Sequence, residues 1–245
     1  MIAATAALCA TVGLCVESAN IVGYQTKDVR KFLSQQVCTF DQIGAVDGAL
    51  DIQKLVPVDD SGDYVGDGAV NIQFTGPLGV LTGSFAYYGA DEYDDGFAAG
   101  WYNEDEDELA VYTFAAGEGF QVNAGSVCNF QYSGEVNMAE TDVPFRKFLS
   151  AQGNIRPSSV DIQTIIPVDD GGEYIGDGAI NIQFTGPLGV LTGSFAYYGA
   201  DEYDDGFAAG WYNEDEDELA VYTFNPAEGF KVNAGQAGYL RFPEM

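Results

Sequence analysis

Residues 71–114 recur letter for letter as residues 181–224, and this duplication constrains the fold more than any other feature of the chain. The offset, 181 − 71 = 110 residues, is the length of a small domain rather than of a solenoid repeat. The likeness continues on either side: DIQKLVPVDD at 51–60 matches DIQTIIPVDD at 161–170, and GEGFQVNAG at 117–125 matches AEGFKVNAG at 227–235. Upstream, RKFLS at 30–34 recurs at 146–150 with an offset of 146 − 30 = 116. The first copy therefore carries 116 − 110 = 6 extra residues between these blocks, expected in a loop, where insertions cost little. Identity that extends to acidic turn residues, which packing does not dictate, reads as recent duplication.

Where the copies differ, the differences report which way side chains face. Leu55 and Val56 become Ile165 and Ile166, apolar for apolar, which marks a core segment. Phe120 and Val122 remain Phe230 and Val232 while Gln121 becomes Lys231; Phe130 and Tyr132 become Leu240 and Phe242 while Gln131 becomes Arg241. Inward and outward positions separate with the period of two that a strand requires. Further strands are predicted at 70–74, 79–88, 97–102 and 109–114, divided by Gly, Pro or acidic turns. Residues 28–36 fit a helix capped by Asp28, and fit a strand nearly as well. The expected fold is all-β: two tandem antiparallel sandwich or barrel-like modules with at most short helices. Residues 1–15 would be a leader, 16–134 the first module and 135–245 the second.

Residues 2–16 are apolar or small, too short a run for a comfortable membrane span and suited to a secretory signal cleaved before Val16, although no basic residue flanks it. No other stretch is long and apolar enough to span. With that leader removed, two cysteines remain, Cys38 and Cys128, and their counterparts in the second copy are Asn154 and Gly238. Paired appearance and paired loss, in a secreted or cell-surface protein, predict a Cys38–Cys128 disulfide. The strand-like run at 16–25 has no hairpin neighbour in sequence and is expected to add to the sheet edge of another subunit, giving a homo-oligomer or filament.

The chain holds 38 acidic and 9 basic residues, a net charge of −29, which makes nucleic acid and anionic membrane surfaces poor partners; neither is expected. The acid concentrates in three loops per copy, 58–68, 91–96 and 103–108 in the first, two of them Gly-containing, where clustered carboxylates are the hard oxygen ligands that calcium selects. Candidate ligands are Asp59, Asp60, Asp63, Asp67, Asp91, Asp94 and Asp95, with Asp169, Asp170, Asp177, Asp201, Asp204 and Asp205 in the second copy. Their spacing does not match the EF-hand loop. Beside them stand Tyr93 and Trp101, and Tyr203 and Trp211, an aromatic-plus-carboxylate combination expected to stack on the rings of a polysaccharide. Alternation along the strand argues the other way for Trp101, placing it with Phe97 and Ala99 in the core. The chain contains no histidine, which removes Ser-His, Cys-His and His-metal chemistry, and no Gly-rich phosphate loop precedes a basic residue. A pair of carboxylates suffices for glycoside hydrolysis, but acids in open turns lack the apolar surroundings that raise a general acid's pKa. The expectation is a non-enzymatic protein.

SANIVGYQ (18–25), GWYN (100–103), GEGFQV (117–122) and the closing GEV (134–136) together resemble a loose class of uncharacterised secreted bacterial β-repeat proteins that begin with an ANVVGYQ-like strand and contain a GEGFWV-like strand. Gln121 stands where that class often has Trp, and the second copy has MAET (138–141) in place of the VGYQ start. The resemblance implies a secreted β protein and no known activity.

Overall fold

The computed structural model describes residues 22–37, 40–41, 50–65, 68–76, 78–89, 98–103, 108–115, 117–136, 138–175, 179–186, 188–199, 208–213 and 218–245. The first module runs β1 (Val22–Val29), β2 (Phe32–Val37), β3 (Phe40–Asp41), β4 (Leu50–Asp51), a 3₁₀ turn (Ile52–Lys54), β5 (Val56–Val58), β6 (Val70–Thr75), β7 (Leu81–Tyr88), β8 (Gly100–Asn103), β9 (Thr113–Phe114), β10 (Gly119–Ala124) and β11 (Cys128–Val136). The second repeats the plan: β12 (Thr141–Phe145), β13 (Phe148–Gly153), β14 (Val160–Asp161), a 3₁₀ turn (Ile162–Thr164), β15 (Ile166–Val168), β16 (Ile180–Thr185), β17 (Leu191–Tyr198), β18 (Gly210–Asn213), β19 (Thr223–Phe224), β20 (Gly229–Ala234) and β21 (Gly238–Phe242). The protein is all-β, with antiparallel pairing throughout the described sheets.

Each module lays a five-stranded sheet, β2-β10-β6-β7-β8 or β13-β20-β16-β17-β18, over a smaller one, β1-β11-β3 with β5 also on β11, or β12-β21-β15. The alternation read from sequence sets the facing: Phe120, Val122 and Ala124 of β10 are buried while Gln121 and Asn123 are not. Val29, Cys128 and Phe130 from the small sheet meet Val70, Ile72, Phe120 and Val122 from the large one in a single core. Side chains of this size contribute about 1.5–3 kcal/mol each when fully buried.

Trp101 and Trp211 lie at the centre of these cores and are 0% exposed. Each indole N–H donates to a backbone carbonyl, Leu55 or Ile165, at 2.7 Å, so the buried polar atom is satisfied. The DIQ motif explains itself here. Asp51 caps the 3₁₀ turn by accepting from the Gln53 N–H at 2.9 Å. The Gln53 amide then donates to the carbonyls of Trp101 (3.0 Å) and Ala110 (2.9 Å) and accepts from the Trp101 N–H (2.9 Å). That plug leaves no room for a side chain at residue 100, where a Cβ would sit 2.6 Å from Gln53 Oε1, hence the glycine of GWYN.

Several expectations are corrected. Residues 28–36 are the end of β1, a tight turn and most of β2; with β11 and β10 available to pair either arm, the strand reading wins and no helix forms. Of the run at 16–25, residues 16–21 lie outside the described residues; from Val22 onward it is not a free strand but pairs with β11 of its own module, Val22 opposite Glu135 and Val29 opposite Cys128. β11 continues to Val136, opposite Phe40, so the change of module falls between Val136 and Thr141 rather than at 134/135. Cys38 lies outside the described residues. Cys128 is a buried free thiol whose pKa burial pushes up to about 11. Its loss in the second copy has a packing reason: a Cβ at Gly238 would lie 2.5 Å from Ile175 Cδ1 and 3.0 Å from Phe145 Cζ, and in the first module those neighbours are the smaller Val65 and Val29.

Candidate functional site

The two modules are packed against each other about an approximate two-fold axis, and the residues that do this are the RKFLS blocks. In each, the residue after the basic pair turns the chain with a positive φ, +67° at Phe32 and +66° at Phe148. This throws the preceding arginine across to the other module. Arg146 donates to the Thr75 carbonyl and to its own Leu149 carbonyl (2.9 Å); Arg30 donates to the Thr185 carbonyl and to its own Leu33 carbonyl (2.8 Å). Thr75 and Thr185 are equivalent positions, so the contacts are reciprocal, as in an isologous dimer.

The same reciprocity holds along the seam. Gly119 of β10 approaches β13 so closely that a Cβ would lie 2.2 Å from the Ala151 carbonyl carbon, and Gly229 of β20 approaches β2 so closely that one would lie 2.1 Å from the Gln35 oxygen. Glycine is required at both places because backbone meets backbone. Leu149 reaches Gly79 and Leu33 reaches Gly189, at 3.8 and 3.5 Å from the Cβ direction. Val37 passes beyond its own module and joins the core of the second, resting against Gly153.

Flanking this seam are two clefts, of about 750 and 690 Å³, within the size range of ligand sites. In the first, the half-buried rings of Phe74, Phe85 and Tyr112 form one wall, and Arg146, Ser150 and Gln152 of the second module form the other. Phe184, Phe195 and Tyr222 face Arg30, Ser34 and Gln36 in the second. The rings are held in place: Phe74 and Tyr112 have centroids 4.7 Å apart, Phe74 and Phe85 5.8 Å with near-perpendicular planes. Glu118 fixes Tyr112 from below, one carboxylate oxygen accepting from the phenol and the other from the Ala115 N–H at 2.9 Å. Burial and that carboxylate together hold the Tyr112 hydroxyl well above its ordinary pKa, so it stays a neutral donor. Glu228 does the same for Tyr222.

Behind the clefts, the Ser150 hydroxyl, Gln152 Oε1 and Gln35 Oε1 are buried without a hydrogen-bond partner among the described residues. The Gln152 amide donates to the Pro144 carbonyl at 2.9 Å, and the Gln35 amide donates to Gln121 Oε1 at 3.2 Å, beside the first cleft.

The residues singled out from sequence are placed differently. Trp101 and Trp211 are core, so the stacking platform expected of them has no exposed indole. Tyr93 and Tyr203 lie outside the described residues, as do Asp67, Asp91, Asp94, Asp95, Asp177, Asp201, Asp204 and Asp205. Asp59 spends one carboxylate oxygen on its own turn, accepting from the N–H groups of Ser61 (2.8 Å) and Asp63 (3.0 Å), and Asp169 repeats this with Gly171 and Glu173. Asp60 accepts from Asn129 at 3.3 Å. Among the described residues no three carboxylates or other ligating side chains gather as a metal site. The arginines and aromatics of the clefts were missed, although the signal existed: a basic pair repeated at its own offset, in a chain with only 9 basic residues. Among the described residues no helix is long and apolar enough to cross a membrane. No protein-family model, curated protein or solved structure matches the chain.

Proposed function

We propose that this is a secreted or cell-surface structural and interaction protein with no catalytic role, built as an internal pair of acidic β modules and using duplicated apolar hairpins to associate with further copies. The observation that carries this reading is the β6–β7 hairpin and its duplicate. Leu78 is 78% exposed and Val80 66%, beside exposed Leu81; Leu188, Val190 and Leu191 repeat the display. On a body with a net charge of −29, a cluster of aliphatic side chains held in water by a sheet hairpin is costly unless something covers it. Calcium, held by the acidic loops, belongs to the same proposal as a means of bringing like-charged copies together.

Light scattering of the wild type and of the Leu78→Ser, Leu188→Ser double variant tests it. Association in wild type that calcium promotes and the variant loses supports the reading. A wild type that stays monomeric across concentration and calcium, or that is recovered only from the cytoplasm of its producing cell, overturns it.

A further inference from the structure

We propose that each inter-module cleft is the socket for a hairpin tip, β6–β7 or β16–β17, of a second copy of this chain. This rests on the reading of the hairpins as the means of association and names the surface that receives them.

Charge decides which part of one copy can approach another. Residues 68–90 and 178–200 contain no charged side chain, although the whole chain carries a net charge of −29. Two such bodies repel each other wherever acidic loops meet, and least where uncharged segments lead. Within each uncharged segment stand the exposed aliphatic residues, Leu78, Val80 and Leu81 or Leu188, Val190 and Leu191. The tip is also set in shape beforehand. The Gly76 N–H donates to the Val80 carbonyl at 2.7 Å and the Gly79 N–H to the Gly76 carbonyl at 2.9 Å, and Gly186 and Gly189 repeat both bonds. Docking a tip already folded spends little ordering entropy.

The cleft offers what such a tip needs. Phe74, Phe85 and Tyr112 in the first, and Phe184, Phe195 and Tyr222 in the second, are only half-buried and leave ring surface uncovered. The charged groups beside them are already engaged: Arg146 on the Thr75 and Leu149 carbonyls, Glu118 on the Tyr112 phenol and the Ala115 N–H. Arg30 and Glu228 are held in the same way in the second cleft. An aliphatic side chain entering there leaves neither charge without a partner. A lipid surface would cover the tips but leave the aromatic walls bare, whereas a second copy answers both.

Thr75, Thr82 and Gly83 of the first hairpin line the first cleft, as Thr185, Thr192 and Gly193 line the second. Tip and cleft of a module therefore lie side by side on one hairpin, and two copies can exchange tips reciprocally, a self-complementary contact. The other module carries the same pair of parts, so association continues past the dimer.

Sedimentation velocity of the full chain in calcium tests this. Wild type should form dimers and larger species as concentration rises. Leu78→Ser, Leu188→Ser removes the tips and leaves the clefts. Gly83→Arg, Gly193→Arg fills the clefts and leaves the tips; a Cβ on Gly83 meets nothing within 4 Å, and one on Gly193 meets only Phe184 at 3.9 Å. Each double variant alone should sediment as a monomer with wild-type circular dichroism, even though the added arginines lower the repulsion between copies. Mixed in equal amounts, the two should associate again, because one supplies clefts and the other tips. Cleft-filled protein that associates like wild type, or a mixture that stays monomeric, overturns this inference alone and leaves the hairpins docking elsewhere. A monomeric wild type, or a tip variant that still associates, overturns it together with the reading on which it rests. Flotation of that monomeric wild type with phosphatidylcholine vesicles would assign the tips to a lipid surface instead.

Discussion

Replacing Gly119 with alanine adds a single methyl group where the two modules touch, and the structure fixes what it must do. The new carbon would lie 2.2 Å from the Ala151 carbonyl carbon and 2.4 Å from the Gln152 nitrogen. Ordinary contact begins at 3.4 Å, so the strands must part by about 1 Å, and both obstructing atoms are backbone, which cannot rotate away. Overpacking of this kind costs about 1–3 kcal/mol. In a chain of this size that lowers Tm by roughly 2–12 °C. The sign is informative, because glycine to alanine inside a strand is otherwise favourable by about 0.5–1 kcal/mol. Gly83→Ala, on β7 in open space, is the matched control and should leave Tm unchanged or slightly raised. Gly229→Ala strikes the same seam from the other side, at the Gln35 backbone. Once one methyl has parted the modules the second finds room, so the double variant should cost less than the sum of the singles by more than about 0.5 kcal/mol. Scanning calorimetry reads the wild type and all the variants. A Gly119→Ala variant as stable as wild type, or two glycine variants whose effects simply add, would refute the claim that these residues set the distance between modules.

Alkali should weaken the fold in a defined window. Burial first, and the neighbouring Tyr64 or Tyr174 second, push the hydroxyls of Tyr87 and Tyr197 from 10.0 up to about 12. A raised folded-state pKa means the stabilisation is complete below pH 10 and is lost from there to about 12, as the unfolded phenols ionise first. Denaturant midpoints should fall across that range and fall less steeply in Tyr87→Phe, Tyr197→Phe; a flat profile contradicts the assignment. Arg156 is fully buried and donates to the carbonyls of Ala139 (2.7 Å), Phe242 (3.1 Å) and Pro243 (2.7 Å), tying both ends of the second module together. Arg156→Met should cost about 1–3 kcal/mol in urea unfolding, since it strands the buried Phe242 carbonyl and removes the bond to the half-buried Pro243 carbonyl, while the exposed Ala139 carbonyl keeps the Thr141 hydroxyl as a donor; a loss below about 0.5 kcal/mol would show the Phe242 carbonyl hydrated. Calcium should raise Tm more than sodium chloride of equal ionic strength, and a chelator should reverse it; equal effects would mean charge screening alone.

The internal repeat made the fold legible to an unusual depth. Two copies that differ at Gln121/Lys231 but not at Phe120/Phe230 behave as a small alignment, and the faces they predicted are the faces observed. What alternation could not reveal was packing between modules. Gly119, Gly229 and the RKF turns look locally like ordinary strand starts and hairpins, and their role exists only once the second module is in place. The tryptophans misled for a related reason: proximity to acidic loops in sequence suggested exposure, but the Gln53 plug draws Trp101 inward, and nothing in the local pattern announces a partner 48 residues away. The aromatic wall of the cleft was hidden too. Phe74 continues the inward series of Val70 and Ile72 and reads as core; it is half-buried because the sandwich is open at that end.

The claim on which the rest stands is that the modules form a reciprocal pair within one chain. In a methyl-labelled sample of monomeric hydrodynamic mass, cross-relaxation should link the Leu149 methyls to Gly79 Hα and, equally, the Leu33 methyls to Gly189 Hα. Both contacts present in the monomer is the predicted result. Neither present, or only one of the two, would contradict it.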